Sequence, residues 1–209
     1  MGGFWPVFKR ELFSYFVTPL AWVLLFAFVS WQGLHFTLLV RSFVQAPEVA
    51  IDQGPIQAFF GGDVFYYLPL VVLCPAMTMR LLAEERRSGS LELLLTSPVS
   101  ITAVVVAKYL AVLVAYVVLW LPTTLYVVIL TRAADLDLRV VVTSYLGVLG
   151  IGAPYLAIGL LTSATTRSQL VAFVLSTMII LGLFLLGLGE FVFDDGALRE
   201  VCLHLSVWS

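Results

Sequence analysis

The sequence predicts an all-α integral membrane protein with five transmembrane helices, one helix on the membrane surface and one short cytoplasmic helix. Of its 209 residues, 61% are hydrophobic and 11% are charged, whereas a soluble domain is roughly 45–50% apolar and about 25% charged. The net charge is −2, so the chain lacks the basic surface that nucleic-acid binding needs. These figures exclude a soluble enzyme, a disordered chain and a nucleic-acid-binding protein.

Residues 1–19 form the first predicted element, a helix at the membrane surface. Its apolar side chains recur at helical spacing at Trp5, Phe8, Leu12, Tyr15 and Phe16. Charged Lys9, Arg10 and Glu11 lie between them. This pattern is typical of an amphipathic helix in the membrane interface and equally of a juxtamembrane helix with aromatic-belt residues. Both interpretations place the segment on the membrane surface.

Five stretches reach the length of about 20 mostly apolar residues that a membrane span requires. They are residues 20–40, 64–83, 102–131, 140–163 and 170–188. The first is too long for the apolar core of a signal peptide and has no small-residue cleavage site, so we expect a retained anchor. The fourth carries small residues, which allow helices to approach closely: Gly147, Gly150, Gly152, Ala153, Ala157 and Gly159. We expect these to pack within the chain, with a subunit interface as the alternative.

The distribution of basic residues predicts the orientation. With five spans, seven Lys and Arg residues fall on one side of the membrane and four on the other. The larger set is Lys9, Arg10, Arg80, Arg86, Arg87, Lys108 and Arg167. Because basic residues accumulate on the cytoplasmic side, the N-terminus is predicted to be cytoplasmic and residues 190–209 to form an extracytoplasmic segment.

Lys108 lies near the start of the third span. A lysine at the bilayer centre costs about 2.5–3.5 kcal/mol on insertion scales. That cost disappears if the hydrocarbon segment begins near Tyr109 and the lysine extends its side chain to the cytoplasmic surface. We therefore expect an anchoring lysine rather than a transport-site lysine.

A polar island occupies residues 80–98 on the predicted cytoplasmic side. The second helix is predicted to leave the membrane at Arg80 and to continue as a charged helix until Gly89 breaks it. Ser90 then caps a short leucine-rich helix, which ends at Pro98. Such an element either rests on lipid headgroups as a connector or presents its leucines to a cytoplasmic partner, and we favour the partner.

These residues carry a family resemblance. Residues 82–98, Leu-Ala-Glu-Glu-Arg-Arg-Ser-Gly-Ser-Leu-Glu-Leu-Leu-Leu-Thr-Ser-Pro, resemble the loop between the second and third helices of ABC-2 type transporter permeases. Residues 74–80, Cys-Pro-Ala-Met-Thr-Met-Arg, are similar to the gliding-motility (GldF-like) subgroup. Residues 8–19, Phe-Lys-Arg-Glu-Leu-Phe-Ser-Tyr-Phe-Val-Thr-Pro, also fit the opening of that family.

The resemblance implies a single transmembrane domain over residues 1–209 in the bacterial inner (plasma) membrane. Family members work as permease dimers, so it implies a second permease copy or a paralogue. It also implies two cytoplasmic ATPase subunits, which bind ATP and Mg. Residues 1–19 would be the elbow helix, and residues 84–98 the coupling region that docks on the ATPase. The matching positions are Glu84, Glu85, Arg86, Gly89, Glu92, Leu94 and Pro98.

The chain departs from that family in one respect, because the family has six membrane helices and we find five apolar spans. The sixth is expected after residues 190–209, and the sequence ends there. We therefore expect a chain that is truncated before its last span.

Other chemistry is absent from the sequence. A P-loop requires the sequence Gly-Lys-Ser/Thr. Lys9 follows Phe8 and Lys108 follows Ala107, so this chain has no P-loop, and ATP hydrolysis is expected on a separate chain. No His-Glu-x-x-His zinc motif and no Gly-x-Ser-x-Gly elbow occurs. His35 is expected to be structural, and Asp63 has no intramembrane carboxylate partner for paired-acid chemistry. We expect no catalytic residue, no metal site and no cofactor in this chain.

Two functions remain open at this point. The first is the permease subunit of an ATP-driven exporter. The alternative is a non-transporting membrane anchor within an envelope or gliding-motility complex. The charge-free, apolar or small residues between the span ends do not select a substrate.

Overall fold

The computed structural model describes residues 4–45, 55–61, 64–89, 100–133 and 137–192. These residues form helices joined by short turns, and no strand occurs among them. The longer helices are α1 (Phe4–Val17), α2 (Pro19–Gln45), α4 (Val64–Thr78), α6 (Ile101–Trp120), α8 (Leu138–Thr165) and α9 (Gln169–Val192). The shorter ones are α3 (Pro55–Gly61), α5 (Ala83–Ser88) and α7 (Thr124–Ala133), with a 3-10 turn at Leu121–Thr123.

The five predicted spans are confirmed. Among the described residues, five stretches are long and apolar enough to cross a membrane, namely Pro19–Gln45, Phe65–Ser88, Ile101–Arg132, Leu138–Thr165 and Gln169–Leu186. Each overlaps one predicted span, and α1 precedes the first of them as a separate helix that Thr18 divides from α2. An all-α membrane protein with five spans is therefore the correct fold class.

Two spans contain breaks that the sequence interpretation missed. The second helix does not continue smoothly past Arg80, because α4 ends at Thr78 and α5 begins at Ala83. Thr78 Oγ1 donates to the carbonyl of Cys74 at 2.8 Å, a bond that competes with continued helix. The third span is interrupted at the 3-10 turn, where Pro122 cannot supply a backbone N–H.

The helix α4 lies at the centre of the bundle, in contact with α2, α3, α8 and α9. Its buried ridge consists of residues four positions apart, Tyr66, Leu70, Cys74 and Thr78, each 0% exposed. Residues at this spacing share one face of a helix. The central helix therefore leads directly from the core to the turn at residues 79–82.

Close helix packing in the core depends on two glycines of α8. A Cβ added at Gly152 would meet the ring of Tyr116 on α6, and one added at Gly159 would meet Thr78 on α4. Both contacts lie within the chain, so the predicted intramolecular packing is confirmed for these two glycines. The same helix leaves open space around Gly147 and Gly150.

An aromatic cluster fills the end of the bundle remote from α1. The short helix α3, which the sequence interpretation did not include, buries Phe59 (0% exposed) and Phe60 (4%). His35 packs against Phe59 and Tyr66 with ring centroids 5.6 and 5.7 Å away. The histidine is 4% exposed, in agreement with the structural role expected for it.

Candidate functional site

The charged residues of the predicted coupling region that the structure describes lie on two sides of α5. Glu84 and Arg86 are exposed, whereas Glu85 faces the bundle and is only partly exposed. Gly89 ends the helix with φ of 72°, a left-handed conformation that glycine adopts without a Cβ penalty. The predicted break at this residue is therefore confirmed. Ser90 and the remaining predicted residues, Glu92, Leu94 and Pro98, lie outside the described residues.

Four charged residues meet where α1, α5 and α6 converge, and we call Arg10, Glu11, Glu85 and Lys108 the charged cluster. Lys108 Nζ lies 3.0 Å from Glu11 Oε1 and 2.9 Å from Glu85 Oε1. Arg10 Nη2 approaches the same two oxygens at 2.9 and 3.5 Å. One lysine on α6 therefore connects the N-terminal helix to the first helix of the predicted coupling region.

The environment of Lys108 corrects the sequence interpretation. Its side chain is 2% exposed and does not reach the aqueous surface. Burying an ionised side chain costs several kcal/mol, and the charge is tolerated when an opposite charge pairs with it. The two carboxylates, each 14% exposed, supply that pairing. Lys108 is thus a buried residue that joins helices through ion pairs, rather than an anchor extended into solvent.

The start of α5 is held by a residue of another helix. Leu82 occupies the N-cap position and its side chain cannot accept a hydrogen bond. Ser163 Oγ of α8 instead accepts from the backbone N–H groups of Leu82 and Ala83, each at 3.1 Å. The same hydroxyl donates to the carbonyl of Met79 at 3.1 Å. One side chain therefore satisfies backbone groups on both sides of the turn.

We expect Ser163→Ala to lower the free energy of unfolding by about 1–2 kcal/mol, because two buried N–H groups lose their acceptor. Thermal unfolding of the detergent-solubilised protein measures the effect. The matched control is Thr143→Ala on the same helix, whose hydroxyl bonds only carbonyl oxygens of α8. Equal shifts in the two variants would contradict the capping role.

Tyr15 and Arg80 fasten the other side of this turn. Tyr15 Oη donates to the carbonyl of Met77 at 2.6 Å, and Arg80 Nη2 donates to Thr18 Oγ1 at 3.3 Å. Burial, followed by the charge of Glu11, raises the pKa of Tyr15, against a smaller lowering by Arg80. The phenol therefore stays protonated and remains a donor to the end of α4.

Sequence reasoning missed the residues that hold the site together. Glu11 and Tyr15 were recognised only as parts of the surface helix, Ser163 belonged to no motif, and Lys108 was assigned an exposed role. The available signal was the lysine itself, a charge within an apolar stretch that requires a counter-charge when buried. No group of three or more His, Cys, Asp or Glu residues in the described part of the chain lies close enough to hold a metal ion.

Comparison with known proteins gives one match. A family model described as ABC-2 family transporter protein matches residues 52–203, which is well over half of the chain and includes α3 through α9. No curated protein and no solved structure matches the chain.

Proposed function

The chain belongs to the ABC-2 family of transporter proteins, and from that premise we propose that it is the membrane permease subunit of an ATP-driven exporter. A separate cytoplasmic ATPase, which binds ATP and Mg, supplies the energy. The permease works as a dimer with a second copy or a paralogue, in the bacterial inner membrane. Its N-terminus and the charged cluster lie on the cytoplasmic side.

The charged cluster is the observation that carries this proposal. The coupling region begins on α5, and α5 is joined to α1 and α6 through Glu85 and Lys108. Ser163 joins the beginning of the same helix to α8. A force applied to α5 therefore reaches three other helices through short polar contacts, as a coupling device requires.

The exposed face of α5 supports contact with a partner. Glu84, Arg86 and Arg87 are exposed while Glu85 faces inward. If every charged residue of α5 formed ion pairs within the chain, none of them would point outward in this way. We propose that these three residues, followed by Glu92, Leu94 and Pro98, form the surface that the ATPase contacts.

The proposal is tested by the double variant Glu92→Arg with Leu94→Asp. We expect the wild-type chain, co-expressed with the ABC ATPase encoded nearest to its gene, to co-purify with it and to modulate its ATP hydrolysis. The double variant should lose both properties, because it reverses a charge and inserts another among the leucines of the docking segment.

A control of similar chemistry is Leu138→Asp with Arg139→Glu at the start of α8, where both side chains are exposed. This pair lies on the predicted outer side and should leave the association intact. Retained association in the Glu92 and Leu94 variant would refute the docking role. Normal cargo movement with a disabled ATPase would instead favour a non-transporting anchor.

A further inference from the structure

An apolar groove runs between α1, α2, α4 and α6, beside the charged cluster. It encloses about 680 Å³, including space open to the outside. Its walls are aliphatic and aromatic, with Phe16, Leu25, Met77 and Val118 among them. Among the described residues that line it, Arg80 alone is charged. The groove is therefore an apolar slot with one cation at its edge.

Arg80 stands at the boundary between this groove and a polar recess. The recess is lined by Glu11, Ser14 and Glu84 together with Arg80 itself. Glu11 already pairs with Lys108, and Glu84 is exposed. The ion pairs found among the described residues do not include Arg80. Its guanidinium carries five N–H donors, and Thr18 accepts from one nitrogen.

The mouth of the groove lies among side chains suited to the membrane interface. Trp22, which lines the groove, is 59% exposed, and Phe16 is 38% exposed. Trp22 Nε1 donates to the carbonyl of Phe16 at 2.9 Å. Tryptophan is enriched at the level of lipid headgroups. An apolar slot that ends at a cation at this level matches an amphiphile with a long chain and a negatively charged head.

We propose that this groove binds one anionic phospholipid of the cytoplasmic leaflet. An acyl chain occupies the space between α1, α2, α4 and α6, and the phosphate pairs with Arg80. Charged hydrogen bonds between guanidinium and phosphate are strong and can be bidentate. The bound lipid fills the space next to the contact between Tyr15 and Met77 and so holds α1 against α4.

The test compares lipid binding by native mass spectrometry and by thermal stabilisation of the full chain in neutral detergent. The probes are phosphatidylglycerol and phosphatidylcholine with identical acyl chains, and inorganic phosphate alone. We expect phosphatidylglycerol to be retained and to raise the unfolding temperature most. Arg80→Gln should reduce its affinity about tenfold or more, because the charged hydrogen bonds to the phosphate are lost.

Two further variants separate the parts of the site. Val118→Phe narrows the apolar slot and should lower the affinity for both lipids while preserving the preference for phosphatidylglycerol. Arg167→Gln removes an exposed charge from the predicted cytoplasmic side and should leave the affinity for both lipids unchanged. Equal binding of the two lipids, equal stabilisation by inorganic phosphate, or an Arg167 effect as large as that of Arg80 would each overturn the proposal.

Discussion

Lys108→Met is expected to lower the free energy of unfolding by about 3 kcal/mol, a large effect for one charged residue. Removing one partner of a buried ion pair leaves an uncompensated charge and costs about 3–5 kcal/mol. Here two carboxylates, Glu11 and Glu85, lose the lysine that lies within 3.0 Å of both. Arg10 stays near both oxygens and offsets part of the loss, which favours the lower end of that range. Thermal unfolding in detergent measures the change.

The matched control is Lys9→Met, which removes an exposed lysine of α1. Its Nζ lies 5.2 Å from the centre of the Trp5 ring, an interaction that contributes about 0.5–1 kcal/mol at an exposed site. Adding Glu11→Gln and Glu85→Gln to the Lys108 variant should restore part of the stability, because the unpaired charges disappear. Two outcomes would show that the charged cluster does not stabilise the fold. They are a Lys108 variant as stable as the Lys9 variant, and a triple variant no more stable than the Lys108 variant.

Gly159→Ala and Gly152→Ala should each destabilise the protein by about 1–3 kcal/mol, the usual cost of overpacking a core. The new Cβ at position 159 would lie 2.9 Å from Thr78 Cβ, and Thr78 is fully buried. At position 152 it would strike the ring of Tyr116, whose hydroxyl donates to the carbonyl of Val148. Neither neighbour can move away without disturbing the core, so α8 itself must shift.

The same helix offers two controls, Gly147→Ala and Gly150→Ala. A Cβ at either position meets nothing within 4 Å. Alanine favours the helix over glycine by roughly 0.5–1 kcal/mol, so these variants should be neutral or slightly more stable. Unfolding temperatures that fall equally in all four variants would show that helix propensity or misinsertion, rather than close packing, decides the result.

The five spans were predictable because each depends on one local property, an apolar stretch long enough to cross a bilayer. Gly89 was predictable for the same reason, since a glycine after a charged helical segment is a local signal. The 3-10 turn at Pro122 was missed because its flanks are so apolar that the span looks continuous. The short helix α3 was missed because its seven residues fall below the length of a span.

The candidate site was harder to predict because its partners are distant in sequence. Glu11, Glu85 and Lys108 come from three helices, and Ser163 comes from a fourth. No local pattern specifies which carboxylate a lysine will meet, and this depends on how the helices pack. Tertiary structure therefore converted an apparently exposed lysine into the buried centre of the cluster.

The charged cluster has an electrical consequence. The two positive charges of Arg10 and Lys108 equal the two negative charges of Glu11 and Glu85, so the cluster is neutral as a unit. A transmembrane potential acts on net charge, with about 2.3 kcal/mol per elementary charge per 100 mV. It performs no net work on a neutral group that moves as one body. A displacement of these four residues together is therefore insensitive to membrane voltage, because their charges cancel.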